Sequence, residues 1–134
     1  MSSIQLAHTY ATLIDLKRLD VIEKEPQKTF NLSFKPTTEE SKKCEFKITF
    51  HLDLTDGDSF ELKTEYVALF NADSDIDEDF QNSDFIKINA PAIAYPYLRS
   101  FITLLMMNSG YSNVYLPTIN FVEMDKEKEK NNKM

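Results

Sequence analysis

A long apolar block at residues 89–110 constrains the fold more than any other stretch of this sequence. Pro91 and Pro96 lie near its start, and the first turn of a helix tolerates proline because N–H groups there have no partner within the helix. Gly110 follows the block, and glycine suits the left-handed residue that ends many helices. Between them, apolar residues recur at three- and four-residue spacing, which predicts a helix over residues 93–107. They are Ala94, Tyr97, Leu98, Phe101, Ile102 and Leu105.

The predicted helix is apolar on nearly all sides, since Leu104, Met106 and Met107 fall outside its main face. A surface helix needs only one apolar stripe, whereas a helix that is apolar all round needs cover on more than one side. A chain of 134 residues builds only a modest core. We therefore expect the second cover to come from another copy of the protein, which makes it a homo-oligomer.

Strands are predicted upstream of the helix, where apolar and polar residues alternate as in antiparallel strands with one buried face. Residues 29–35 alternate and end at Pro36, and a polar loop is predicted over 36–43. Residues 44–54 form the longest alternating run. The Asp-Gly pair that follows favours a hairpin turn into another strand, predicted over 59–70.

The N-terminal part of the chain carries a weaker pattern. Residues 16–24 are predicted to form a strand that Pro26 ends, because Leu19 and Val21 alternate with charged residues. Residues 4–15 fit either a helix or a loosely ordered extension, and the spacing of their apolar residues does not decide between the two.

After the apolar helix, Asn120 and Glu123 have the spacing of a capping box, which predicts a short terminal helix. Residues 125–134 consist of charged and amide side chains and one methionine, and they are predicted to be a disordered tail. The fold class is therefore α+β. One domain over residues 1–124 holds a four-stranded antiparallel sheet, the long apolar helix and the short terminal helix.

Composition excludes several classes of function. The 22 acidic and 15 basic residues give a net charge of −7, which disfavours nucleic acid as a partner. Only two glycines occur, too few for a glycine-rich phosphate loop. One cysteine favours a reducing compartment, and the start of the chain lacks the pattern of a signal peptide. No apolar run reaches the ~20 residues of a membrane span. We therefore expect a cytoplasmic protein without membrane insertion.

Residues 71–84 are strongly acidic and admit two interpretations. Asp73, Asp75 and Asp77 have the spacing that opens a calcium loop, and Asp84 stands at the place of its twelfth ligand. Such a loop needs a glycine at its sixth position and a bidentate glutamate at its twelfth, and this chain has Glu78 and Asp84 there. We therefore favour a solvated acidic connector.

Few residues could carry out catalysis or hold a metal. His8 and His51 are the only histidines, and neither has metal-ligand spacing with Cys44. His51 is predicted to be solvated on the polar side of a strand, and Cys44 to be a buried small residue on the apolar side. Arg99, inside the apolar helix, is predicted to snorkel or to form a structural ion pair. We predict no enzyme activity, no metal and no cofactor.

Two motifs resemble the SecB protein-export chaperones. The first lies at the start of the apolar helix, and the second follows that helix. They are Ala90-Pro91, Tyr95-Pro96-Tyr97 and Arg99, then Leu116-Pro117-Thr118-Ile119-Asn120-Phe121. Upstream, the predicted strand order is also that of the SecB family.

The resemblance implies an ATP-independent holdase that binds non-native polypeptide in hydrophobic grooves and assembles as a tetramer from two dimers. A holdase lowers the free concentration of aggregating chains by masking their apolar surface. The implied groove residues are Phe30, Leu32, Phe34, Tyr115, Leu116, Pro117 and Ile119. The implied residues of helix packing and assembly are Tyr95, Tyr97, Leu98, Phe101, Ile102 and Leu105.

Two kinds of partner remain open. SecB proteins hand clients to the SecA motor partly through an acidic outer sheet face, and related SecB-like proteins protect an antitoxin. Here Glu61, Lys63 and Glu65 follow one another on that face, so a lysine interrupts the acidic run. The alternative function is a structural or adaptor protein that oligomerises through the same fold without a client groove. In that case the apolar loop over 111–119 is core and interface rather than the wall of a groove.

Overall fold

The computed structural model describes residues 3–20, 28–57 and 59–132. Four strands come first, then a four-residue helix, a π-helical segment and two longer helices. The strands are β1 (Ile4–Arg18), β2 (Lys28–Glu39), β3 (Lys42–Asp56) and β4 (Phe60–Ala72). The helical elements are α1 (Glu78–Gln81), the π-helix (Phe85–Asn89), α2 (Ala90–Asn108) and α3 (Phe121–Asn132). The predicted α+β class, with a four-stranded antiparallel sheet followed by helices, is confirmed.

The sheet has the strand order β1-β4-β3-β2, so that β1 and β2 form its two edges. All pairings are antiparallel. The register aligns the apolar stripes of successive strands, with Phe34 of β2 opposite Phe50 of β3 and Phe50 opposite Tyr66 of β4. Because side chains alternate between faces, these three rings lie on the same face of the sheet.

The core lies between that inner face and α2. Most inner-facing side chains of β3 and β4 are buried, and α2 packs against β1, β3 and β4. Three of the largest core side chains are phenylalanines of the two central strands, and the rings of Phe46 and Phe70 stack at 5.1 Å. The alternation of apolar and polar residues in β3 and β4 therefore predicts which side chains are buried, because the apolar residues lie on the inner face that α2 covers.

β1 differs from the prediction. It begins at Ile4 and ends at Arg18, whereas the predicted strand spans 16–24. Register shifts between Leu6 and His8 and between Ala11 and Leu13 insert one extra residue each into the pairing with β4. Each β-bulge moves the following side chains to the other face, so apolar residues lose the two-residue period of a strand. The predicted strand residues 21–24, and Pro26, lie outside the described residues.

β2 and β3 form a tighter hairpin than predicted. β2 runs through Pro36 to Glu39, and only the turn at residues 40–41 separates it from β3. A loop was predicted over 36–43, because proline removes a donor from the ladder. An edge strand tolerates proline where the missing N–H faces away from its neighbour. The proline therefore does not end this strand.

α2 is the predicted apolar helix, extended by one turn at its start. Pro91 lies in the first turn, while Pro96 lies inside the helix rather than in its first turn. The helix ends as predicted at Gly110, whose φ is 94°. Tyr111 N–H donates to Met106 O at 2.8 Å and Gly110 N–H to Met107 O at 3.3 Å, the two bonds of a Schellman motif.

α3 begins where the capping pattern predicts, because Glu123 N–H donates to the Asn120 side chain at 3.1 Å. The helix then continues to Asn132, so residues 125–132 are helical and not the disordered tail that was predicted. A Lys126–Glu123 pair at 3.8 Å adds local support to the charged turns. Among the helices of the described residues, none has the length and apolarity needed to span a membrane.

Candidate functional site

The edge strand β2 carries an apolar stripe that is only half-buried. Phe30, Leu32 and Phe34 face the inner side, opposite Leu54, Leu52 and Phe50 of β3. The β3 residues Phe50 and Leu52 are at most 1% exposed, whereas the β2 stripe stays partly open to solvent. α2 makes its main contacts with β1, β3 and β4, so β2 lies at the margin of the cover that this helix provides.

The segment between α2 and α3 forms the wall opposite the Phe30 end of this stripe. Tyr95 donates its hydroxyl hydrogen to Pro117 O at 2.6 Å, which ties the segment to α2. Tyr111 packs on Phe60 with ring centroids 5.0 Å apart. A cavity of about 210 Å³ lies between wall and strand. Its apolar lining comprises Phe30, Leu54, Phe60, Val114, Tyr115 and Pro117.

The Phe34 end of the stripe is bounded by α3. Phe121 packs edge-on against Phe34 at 5.9 Å, and Phe34 in turn contacts Phe50 at 6.2 Å. A second cavity, of about 170 Å³, lies beside Phe34. It is lined by Phe34, Pro36, Lys87, Asp125, Lys128 and Glu129. We call the half-buried stripe of Phe30, Leu32 and Phe34, with the cavity at each end, the β2 groove.

The predicted groove residues therefore divide into two groups. Tyr115 is 67% exposed and Pro117 is also exposed, and both line the cavity at the Phe30 end. Ile119 is half-buried against the core. Leu116 is only 3% exposed and packs in the core, so it supports the wall and does not present a surface to a ligand. Consecutive residues of this loop therefore face alternately the cavity and the core. The sequence motif alone did not show which residue takes which side.

Tyr95 holds the wall in place from a buried position. Burial raises the pKa of its phenol to about 12, and the nearby Arg99 guanidinium acts in the opposite direction. The hydroxyl therefore stays protonated and donates to the Pro117 carbonyl at any physiological pH. Arg99 lies with its guanidinium carbon 6.0 Å from the Tyr95 ring, a geometry that fits a packing role for its stem.

The predicted assembly residues also divide, because α2 has an inner and an outer side. Tyr95, Leu98 and Ile102 are buried in the core of the protomer itself. Phe101 and Leu105 are half-buried, and Phe101 stacks on Tyr66 at 5.1 Å. Of the six predicted residues only Tyr97, 51% exposed, points clearly away from the core.

The exposed side of α2 carries a different apolar row. Leu104 is 55% and Met107 54% exposed, and Ile93 is also exposed. Together with Tyr97 and Ser100, these residues recur at intervals of four, three, four and three positions. This spacing is typical of a helix face that packs against another helix. We call this row the α2 outer stripe, and it comprises Ile93, Tyr97, Ser100, Leu104 and Met107. Its spacing is visible in the sequence, but an almost uniformly apolar helix does not reveal which row faces inward.

Cys44 is exposed, in contrast to the buried position predicted for it. It lies near the start of β3, and its Sγ donates to Asp75 Oδ1 at 3.4 Å. The hydrogen bond to Asp75 raises the pKa of this thiol, with smaller contributions from burial and from the charges of Asp75 and Asp73. A raised pKa disfavours the thiolate, which is the nucleophilic form of cysteine.

The acidic segment uses its carboxylates for separate local contacts. Asp77 accepts from the N–H of Phe80 at 2.8 Å and caps α1, while Asp75 accepts from Cys44. A backbone hydrogen bond from Ser3 lowers the pKa of Asp73. Within the described ranges, no three metal-ligating side chains lie close enough together to hold an ion. In the chain the segment leads from β4 to α1 and the π-helix.

The fold and the groove define the class of protein: a small α+β protein that leaves an apolar groove open beside an edge strand. Residues 15–132 match the family model described as preprotein translocase subunit SecB. The chain therefore belongs to the SecB family, and the resemblance found in the sequence is confirmed.

Two relatives are protein-export proteins SecB. The protein of Magnetococcus marinus is 27% identical over 106 residues, which cover 77% of this chain and 66% of the relative. That of Roseobacter denitrificans is 27% identical over 92 residues, which cover 67% of this chain and 54% of the relative. The chain thus spans less than two thirds of the length of these relatives.

Two solved structures share the fold. The SecB-like chaperone of Mycobacterium tuberculosis, in complex with a peptide from an antitoxin, superposes with a TM-score of 0.69 at 13% identity. The match covers 87% of this chain and 90% of that one. A Streptococcus agalactiae protein of unknown function gives a TM-score of 0.56 at 10% identity, over 88% of this chain and 99% of that one. At these identities the likeness establishes the fold alone.

Proposed function

We propose that this protein is an ATP-independent holdase that binds extended, non-native polypeptide in the β2 groove. The observation that carries the proposal is the half-buried stripe of Phe30, Leu32 and Phe34, which has a cavity at each end. The β3 residues opposite Leu32 and Phe34 are almost fully buried, whereas the β2 stripe stays half-buried. Open apolar surface beside a strand is the kind of surface that binds extended peptides.

Binding in such a groove needs no cofactor or nucleotide. Apolar side chains of a client gain roughly 25 cal/mol for each Å² removed from water, so a few anchors give useful affinity. Because the groove binds the unfolded and not the folded client, it lowers the concentration of free, aggregating chain. That the SecB-like chaperone of Mycobacterium tuberculosis has been found with a bound peptide supports a polypeptide ligand here as well.

The outer sheet face favours protection of a specific client, such as an antitoxin, over transfer to SecA. Lys63 of β4 lies between Asp15 of β1 and Asp53 of β3 in the sheet register. Glu65 pairs with His51 at 3.4 Å, and Thr12 donates to the same carboxylate at 3.3 Å. Lys63 compensates part of the charge of its acidic neighbours, so it interrupts the acidic potential that would attract a basic partner to this face.

We further propose that the protein assembles through the α2 outer stripe, as a tetramer built from two dimers. Four apolar side chains on this stripe face solvent in the single chain, and their seam spacing fits another helix of the same kind. The cytoplasmic location expected from the single cysteine remains a prediction, as does the lack of enzyme activity.

The test is suppression of aggregation of an unrelated, chemically unfolded protein in the absence of nucleotide. Leu32→Ser should abolish most of the suppression, since it places a hydroxyl in the middle of the stripe. Asn31→Ser is the matched control, because it changes the neighbouring residue on the solvated face of the same strand. If the unsubstituted protein fails to delay aggregation at stoichiometric concentration, the alternative of a structural or adaptor protein is correct.

A further inference from the structure

The two ends of the β2 groove differ in what covers them. At the Phe30 end, the wall segment stands beside the cavity and exposes Tyr115. At the Phe34 end, α3 crosses the stripe and places Lys128 Nζ 3.8 Å from the centroid of the Phe34 ring. That distance is within the range of a cation–π contact. A side chain of this chain therefore already occupies the ring face that a ligand would use.

Lys128 belongs to a part of α3 that has few other anchors. Phe121 is buried and Met124 packs against the core, but every residue from Lys126 to Lys130 is exposed. The side chains of this turn are charged, and Asp125 and Glu129 share the rim of the adjacent cavity with Lys128. Short charged helices are marginal in water without an apolar face to dock. For residues 126–130, the contact that links this part of α3 to β2 is that of Lys128 with Phe34.

Burial against the strand lowers the pKa of Lys128, while the charge of Asp125 opposes that change. The ammonium group is thus partly withdrawn from water where it stacks. Among the described residues no carboxylate forms an ion pair with Lys128, and a cation that gives up hydration without such a partner gains little net energy from its position. The contact is accordingly one that an entering apolar or aromatic side chain can replace at small cost.

We propose that the last two turns of α3 form a strap that occupies the Phe34 end of the β2 groove through Lys128 and that a client must displace to fill the groove. The inference rests on the proposed function. It makes the groove asymmetric, because the Phe30 end admits a client directly and the Phe34 end only after the strap has moved. Lys128 is a positioning residue in this arrangement, and Phe34 is the residue that it guards.

The test compares Lys128→Gln with Lys130→Gln, in the full-length chain. Both substitutions remove one positive charge from an exposed face of the same helix, and only the first removes a contact with Phe34. The probe is a fluorescently labelled, reduced and unfolded protein without stable structure. We expect Lys128→Gln to bind it about two- to fivefold more tightly than Lys130→Gln, the fold-change of one cation–π contact.

A second measurement follows the strap without relying on affinity. The ring current of Phe34 should shift the ε-methylene protons of Lys128 upfield in the nuclear magnetic resonance spectrum, and Phe34→Leu should remove the shift. Saturation with the unfolded probe should also remove it. A shift that persists at saturation, or equal affinity of the two glutamine variants, overturns the strap while leaving the holdase in place. If neither the unsubstituted protein nor Lys128→Gln binds the probe, the proposed function itself is wrong and the strap with it.

Discussion

The stripes of β2 and β3 have the same sequence pattern and different surroundings. Both alternate apolar and polar residues, and they pair so that Leu32 lies opposite Leu52 and Phe34 opposite Phe50. The β3 residues are at most 1% exposed, because α2 lies over them, whereas the β2 residues stay half-buried. Alternation therefore determines which face a side chain takes. The cover supplied by elements outside the sheet determines whether that side chain stabilises the fold or remains open to a ligand.

The most severe way to test this comparison is substitution on the buried stripe. Phe50 is 0% exposed and packs against Phe34 and Tyr95. Phe50→Ser should cost roughly 3–5 kcal/mol of unfolding free energy, because it leaves a cavity and buries a hydroxyl. Urea unfolding measures the loss. A variant that unfolds within about 1 kcal/mol of the unsubstituted protein would mean that β3 is no better covered than β2.

The same contrast between an inner and an outer side exists on α2. Leu98→Asp should prevent folding of the protomer, since an unpaired buried charge costs several kcal/mol. Leu104→Asp, on the α2 outer stripe, should leave the protomer folded and lower the mass of the assembly. Circular dichroism and light scattering separate the two results. If Leu104→Asp keeps the mass of the unsubstituted protein, the outer stripe is not the interface.

A buried polar residue offers a substitution that should raise the stability of the core rather than lower it. Thr64 on β4 is 2% exposed, and its hydroxyl has no hydrogen-bond partner among the described residues. Thr64→Val should stabilise the protein by about 1 kcal/mol, because it removes an unsatisfied buried group without changing the shape of the side chain. Thr9→Val is the control, since Thr9 accepts a hydrogen bond from Tyr66 at 2.8 Å and its loss should destabilise.

The smallest expected effect concerns the wall of the groove. The pKa of Tyr95 rises from 10.0 to about 12 on folding, so the folded state favours the protonated phenol. The resulting stability is fully present below pH ~10 and is lost as the pH rises towards 12. Tyr95→Phe should cost about 1 kcal/mol at neutral pH, through the lost bond to Pro117, and should flatten that alkaline decline. An equally steep decline in both proteins would assign it to other groups.

The sequence predicted the elements whose periodicity is undisturbed. Residues 29–35 and 44–54 alternate without interruption, and Gly110 and Asn120 mark helix ends that the structure confirms. The prediction failed where an extra residue interrupts the alternation of a strand, or where a side chain of an alternating stripe is nevertheless exposed. Two bulges interrupt the alternation in β1, and Cys44 is exposed although its place in the alternation of β3 predicts burial.

The site was predictable only in part, for two physical reasons. α2 is apolar on nearly all sides, so Leu98 and Leu104 look alike in the sequence although one is core and the other surface. The contact between Lys128 and Phe34 joins residues far apart in the chain, and no local pattern marks it. Lysine in a charged run is ordinarily solvated. The structure therefore separates buried from exposed side chains among residues that share one composition.

The most direct test of the β2 groove is whether a substitution at Leu32 weakens client binding without destabilising the fold. Client affinity and urea unfolding should be measured together for Leu32→Ser, Asn31→Ser and Phe50→Ser. We expect Leu32→Ser to fold with a loss of no more than about 1 kcal/mol and to bind an unfolded client about tenfold more weakly than Asn31→Ser, the equivalent of about 1.4 kcal/mol. If Leu32→Ser unfolds as readily as Phe50→Ser, or binds as tightly as Asn31→Ser, the stripe of β2 is core or inert surface and the groove does not exist.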